Sequence, residues 1–138
     1  MRLAEISDQS KWQATYGAAC YRVCLPHGTQ DVRVGQPCSV LAGMQPWAIL
    51  TACNPQSRLL PDDENANRQA ALLALVGNGG WASYQGENLS DSGNWPIEAS
   101  VLVQGISLTD AVRLGKTFAQ AALVYCEAGG LPALIWLD

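Results

Sequence analysis

The stretch WAILTACNPQSRLLPDDENANRQAALLALVGN, residues 47–78, carries the reading on which the fold depends. Trp47 to Cys53 is a nearly continuous apolar run of strand length, the pattern of a central strand. Asn54-Pro55 stops it, because Pro55 has no N–H for a ladder and the residue before a proline is held extended. A helix follows. Asp62 takes the N-cap, with Asp63 and Glu64 near the positive end of the helix dipole. Ala66 to Val76 is dense in strong helix formers, and Asn78-Gly79-Gly80 ends the element. A buried strand thus hands over to a helix through a short polar turn, a place where a fold can build a site.

On the N-terminal side, Tyr16 to Leu25 reads as a strand and Asp31 to Val34 as its hairpin partner, across the turn Pro26-His27-Gly28. Ser39 to Met44 suits a short helical turn. On the C-terminal side, Trp81 to Gln85 is a strand and Gly86 to Pro96 a polar loop. Ile97 to Val103 alternates, with Glu98, Ser100 and Leu102 on one face. Ser107, with Asp110 three residues on, resembles a capping box and opens a second helix with an apolar stripe from Leu108 to Ala119. Ala121 to Cys126 and Leu131 to Leu137 are the last strands. From Trp47 onward the order is strand, helix, strand, strand, helix, strand. That βαββαβ order predicts a ferredoxin-like α+β two-layer sandwich with a mostly antiparallel sheet. An N-terminal hairpin and a C-terminal strand would extend the sheet. Residues 1–13 read as an N-terminal arm and 14–138 as a single domain.

Composition narrows the function. Of 138 residues, 49% are hydrophobic and 14% charged, which supports a real core and excludes disorder. The net charge is −4, and no two of the eight basic residues are adjacent, which argues against binding a nucleic-acid backbone. The N-terminus lacks a signal pattern, and no apolar run approaches the roughly 20 residues of a membrane helix, so a cytoplasmic location is expected. The five cysteines are irregularly spaced and read as reduced, mostly buried thiols. His27, the single histidine, sits in a turn with no cysteine pair at ligand spacing, so no metal is expected. A nucleophile elbow and a phosphate loop are both absent, and no cofactor is expected.

Asn54 and Ser57 can either stabilise the turn or point at a ligand. Asn65 and Arg68, three apart, share a helix face with Leu72 and so look toward the sheet. An inward arginine needs an anionic partner, and Glu98 is the natural candidate. The pair would either organise one end of the core or clamp an anionic ligand, with Glu98 positioning it. Pairing would lower the Glu98 pKa and so count against a role as a base. Gln120, alone among small apolar residues, could satisfy backbone groups or line a pocket. Trp95, in the polar loop before Pro96, suits a pocket rim.

These residues resemble the domain-of-unknown-function family 3293. Thr51-Ala-x-Asn54-Pro55, Ser57, Asn65-x-x-Arg68 and the Ala/Leu helix fit its pattern. So do Trp95-Pro96-x-Glu98-x-Ser100, Gly105-Ile106 and Phe118-x-Gln120-x-Ala122. The likeness spans about residues 14–137. The chain departs at Cys53, where an aromatic is usual, and at Pro61, where a Ser or Thr cap is usual. The resemblance implies no activity, but it implies that Asn54, Asn65, Arg68, Glu98, Ser100 and Gln120 belong together. The expectation is therefore a small polar, anionic ligand bound at Asn54, Ser57, Asn65, Arg68, Glu98, Ser100 and Gln120. The alternative is a protein-interaction or regulatory module in which that cluster is architectural. No catalytic residue is assigned.

Overall fold

The computed structural model of the chain describes residues 15–93 and 95–137. The expected arm, residues 1–13, lies outside them. Seven strands form one sheet: β1 (Cys20–Leu25), β2 (Gly28–Val32), β3 (Trp47–Leu50), β4 (Ser83–Leu89), β5 (Glu98–Gln104), β6 (Ala122–Cys126) and β7 (Ala133–Trp136). Helix α1 (Asp62–Asn78) joins β3 to β4, and α2 (Leu108–Thr117) joins β5 to β6. Across the sheet the order is β2-β1-β4-β5-β3-β6-β7, and every neighbouring pair is antiparallel. The fold is α+β with an antiparallel sheet. The N-terminal hairpin extends one edge and the C-terminal strand the other.

β3 lies between β5 and β6 with all of its residues buried, which accounts for its unbroken apolar run. It ends at Leu50 rather than at Cys53, because Thr51 turns the chain. The Thr51 hydroxyl donates to the Ala99 carbonyl at 2.7 Å and accepts from the Cys53 amide at 3.1 Å. In α1, Asp62 is the first helical residue and Pro61 occupies the cap position without a side-chain bond. Asp62, Asp63 and Glu64 complement the positive end of the helix instead. α2 is capped as its sequence suggests, with the Ser107 hydroxyl accepting from the Asp110 amide at 3.1 Å.

Other boundaries also differ from the sequence reading. β2 covers Gly28–Val32 rather than Asp31 to Val34. Residues 15–18 are helical, so β1 starts at Cys20 and not at Tyr16. β4 covers Ser83–Leu89, so Gly86 lies inside a strand and does not open a loop. A Cβ at position 86 would stand 1.9 Å from the Arg22 carbonyl oxygen, so β1 approaches too closely for any side chain there.

Both faces of the sheet are buried. Leu72 and Val76 of α1, with Ala111 and Leu114 of α2, pack on Leu50, Val101, Val103 and Leu123. The opposite face has a core of its own, with Tyr21, Val23, Trp47, Ile49, Leu102 and Val124. Leu41, from a 3-10 turn at Ser39–Met44, packs into it. This second core exists because the sheet curls into a half-barrel. The loops flanking its outermost strands meet, where the Gly35 amide donates to the Pro132 carbonyl at 2.8 Å. β5 obeys its sequence alternation, with Leu102 on the concave side and Val101 and Val103 toward the helices.

Candidate functional site

The turn after β3 holds a conformation that L-residues avoid. Asn54, Gln56 and Ser57 have φ of 49°, 53° and 60°, so Asn54 is left-handed and not extended as Pro55 led the sequence to suggest, and Ala119, which faces them, has φ of 55°. Gln56 ties the two segments, its amide and its side-chain nitrogen each donating to the Ala119 carbonyl at 2.9 Å. A non-glycine residue in this region costs about 1 kcal/mol or more. Side chains from elsewhere offset that cost.

Asn65 Oδ1 accepts from the Asn54 amide, and Asn65 Nδ2 donates to Asn54 Oδ1, both at 2.9 Å. Asn54 Oδ1 also accepts from the Leu60 amide at 2.9 Å. Gln69 Oε1 accepts from the Ala52 amide at 2.9 Å, and Gln120 Nε2 donates to the Cys53 carbonyl at 3.1 Å. Arg68 Nε donates to the Ala52 carbonyl at 2.6 Å, and its Nη2 donates to the Phe118 carbonyl. Its guanidinium carbon also lies 5.9 Å from the Phe118 ring centroid. Asn65, Arg68 and Gln69 thus descend from one face of α1 onto one turn, as spacings of three and four allow. Ser57 hydrogen-bonds the Tyr16 hydroxyl.

The expected Arg68–Glu98 pair does not form, because backbone carbonyls take the Arg68 donors instead. Glu98 Oε2 accepts from Asn54 Nδ2 at 2.7 Å and from Trp95 Nε1 at 3.2 Å. Asn54 is therefore the link between the clamped turn and Glu98. Burial pushes the Glu98 carboxyl above its ordinary value of 4.5, and the hydrogen bonds from Asn54 and Trp95 only partly offset that. The depression expected from an arginine neighbour is replaced by an elevation. Ser100 is buried on the Glu98 face of β5.

At this end of the half-barrel the concave core stops short and leaves a cavity of about 50 Å³. Tyr16, Tyr21, Asn88, Trp95 and Glu98 line it above a floor that includes Ile49. Strand register sets Tyr21 opposite Asn88, and Asn88 opposite Glu98. A phenol, an amide and a carboxylate therefore stand in one row across β1, β4 and β5. Asn88 Oδ1 is buried without a hydrogen-bond partner. The Tyr21 hydroxyl donates to the Tyr16 carbonyl at 2.7 Å. Burial raises the pKa of both tyrosines, and the Glu98 charge adds to the rise. On its outer side the Asn54–Glu98 bridge borders a second recess, flanked by Leu59 and Ile97.

The residues singled out in sequence thus divide. Asn54, Ser57, Asn65, Arg68 and Gln120 converge on the turn, and Glu98 joins them only through Asn54. Gln120 both bonds the backbone and borders the cavity, and Trp95 lines it as expected of a rim residue. Tyr16, Tyr21, Gln69 and Asn88 were not singled out. Gln69 follows Asn65 by four and shares its face. Asn88 continues the alternation of Tyr84 and Gly86 past the point where Gly86 suggested a turn. Among the described residues no group of three His, Cys, Asp or Glu side chains converges as a metal site, and no helix is long and apolar enough to cross a membrane.

A curled antiparallel sheet with both helices on one face, and a clamped turn beside a half-buried carboxylate, defines the class of protein. The chain belongs to the family described as Protein of unknown function (DUF3293), whose model matches residues 50–123. That segment runs from the end of β3 into β6 and holds the clamp and Glu98, whereas Tyr16 and Tyr21 precede it. No curated protein and no solved structure matches the chain.

Proposed function

We propose that the protein binds a small polar ligand in the cavity inside the curled sheet, with Glu98 as the recognising group and the Asn54 turn as the clamp that positions it. One observation carries this reading: Glu98 is a half-buried carboxylate facing a cavity, and no cation among the described residues pairs with it. A half-buried carboxylate without a cation is unfavourable, and folds keep such groups where they recognise something. The left-handed residues beside it are a second pointer, since backbone strain gathers at sites. An anionic ligand gains no support from this geometry, because Arg68 Nε and Nη2 are spent on carbonyls. Asn65, Arg68 and Gln120 serve the clamp.

The strand order β4-β5-β3-β6, with α1 and α2 as crossovers, supports the ferredoxin-like reading of the central unit. The free cysteines support a reducing, cytoplasmic setting. A second reading, an interaction module, draws on the outer recess, where Leu59 and Ile97 are 60% and 59% exposed. Native mass spectrometry of protein purified from its host separates the two. The ligand reading expects a small mass adduct that denaturation releases and that Asn88→Leu, which fills the cavity, abolishes. A stable partner protein and no small adduct would establish the module instead.

A further inference from the structure

Among the described residues two acceptors stand open at the cavity. Glu98 Oε2 takes two hydrogen bonds from those residues and Oε1 none. Asn88 Oδ1, next in the row, is buried and unbonded. Two nearby donors are committed, Asn54 Nδ2 to Glu98 and Gln120 Nε2 to the Cys53 carbonyl. The rings of Tyr16, Tyr21 and Trp95 line the same space, and aromatic faces carry negative partial charge.

We infer that the group recognised here is a cationic nitrogen bearing N–H donors, an ammonium, amidinium or guanidinium, held by Glu98 and Asn88 and faced by the three rings. This rests on the ligand-binding reading above and names the chemical class of that ligand. Such a cation satisfies both open acceptors and neutralises the Glu98 charge. An anion would meet Glu98 in a low dielectric, and a neutral carbonyl would leave the Glu98 charge without a counter-charge. Binding also favours the ionised carboxylate, so it draws the Glu98 pKa back down and releases a proton wherever Glu98 was protonated.

The test is a titration of the full chain with methylammonium and guanidinium chlorides, sodium acetate, sodium phosphate and urea at matched ionic strength. The Asn88 side-chain amide NMR signal and tryptophan fluorescence report on the cavity. Both cations should shift the Asn88 signal saturably, and Glu98→Gln should weaken them about tenfold or more while leaving the circular dichroism unchanged. If Glu98→Gln binds the cations as tightly as wild type, the inference is overturned. Should acetate, phosphate or urea occupy the cavity and the cations not, the cation class falls and the ligand-binding reading survives. If no probe perturbs the cavity, both fall. If Glu98→Gln does not fold, wild type decides. Cation affinity should then drop as the pH is lowered through the Glu98 titration, and a pH-independent affinity overturns the inference.

Discussion

Asn54 uses every polar atom of its side chain and backbone amide. It adopts φ of 49°, a conformation asparagine tolerates better than most residues, and it bonds Asn65, Leu60 and Glu98 at once. Asn54→Ala removes three side-chain bonds, strands their partners and keeps the strain, so a loss of about 3 kcal/mol is expected by urea denaturation. Asn54→Gly loses the same bonds but relieves the strain, and should recover about 1 kcal/mol of that loss. Equal losses for the two variants would remove strain from the account. The convergence of Asn65 and Arg68 on the Asn54 turn was legible in sequence, because a polar side chain on an apolar face needs a partner, whereas Gln120 joined them only through the family resemblance. The identity of the Arg68 partner was not. Main-chain carbonyls are acceptors at every position, so a string of side chains cannot mark Ala52 and Phe118 as the ones that take it.

At the scale of elements, β4 is the joint between the N-terminal hairpin and the rest of the sheet. It pairs with β1 on one side and β5 on the other, and it carries Asn88 between Tyr21 and Glu98. Gly86→Ala would force β1 away, because the new Cβ meets main chain and not a flexible side chain. The expected cost is about 3 kcal/mol, with hydrogen exchange showing early loss of protection in β1 and β2. Gly77→Ala is the control. That glycine lies in α1 with open space around its Cβ position, so the change should stabilise the protein by about 0.5–1 kcal/mol. Destabilisation by both, or by neither, would contradict the assignment of Gly86 to close strand approach. Helices α1 and α2 and the buried β3 were readable because capping and apolar runs act locally. β4 was not, because a glycine needed for close approach looks the same in sequence as a glycine needed for a turn.

At the scale of the whole molecule, the curl creates the cavity. It brings Tyr16 and Tyr21, from the start of the described chain, against Glu98 and Trp95. That closure depends on twist accumulated over the sheet and on contacts such as Gly35 with Pro132, which no local pattern announces. The curl also half-buries a carboxylate that no cation among the described residues pairs with, which ties global stability to pH. The folded-state pKa of Glu98 is raised, so its stabilising contribution is complete below the ordinary value of 4.5 and is lost as pH rises through the folded value. A bound cation restores that loss at neutral pH. The most direct test is a pH titration of the Glu98 carboxyl carbon by NMR, with and without methylammonium. The account predicts a midpoint above 4.5 in the ligand-free protein, drawn downward by the cation. A midpoint at or below 4.5 that methylammonium leaves in place would contradict it.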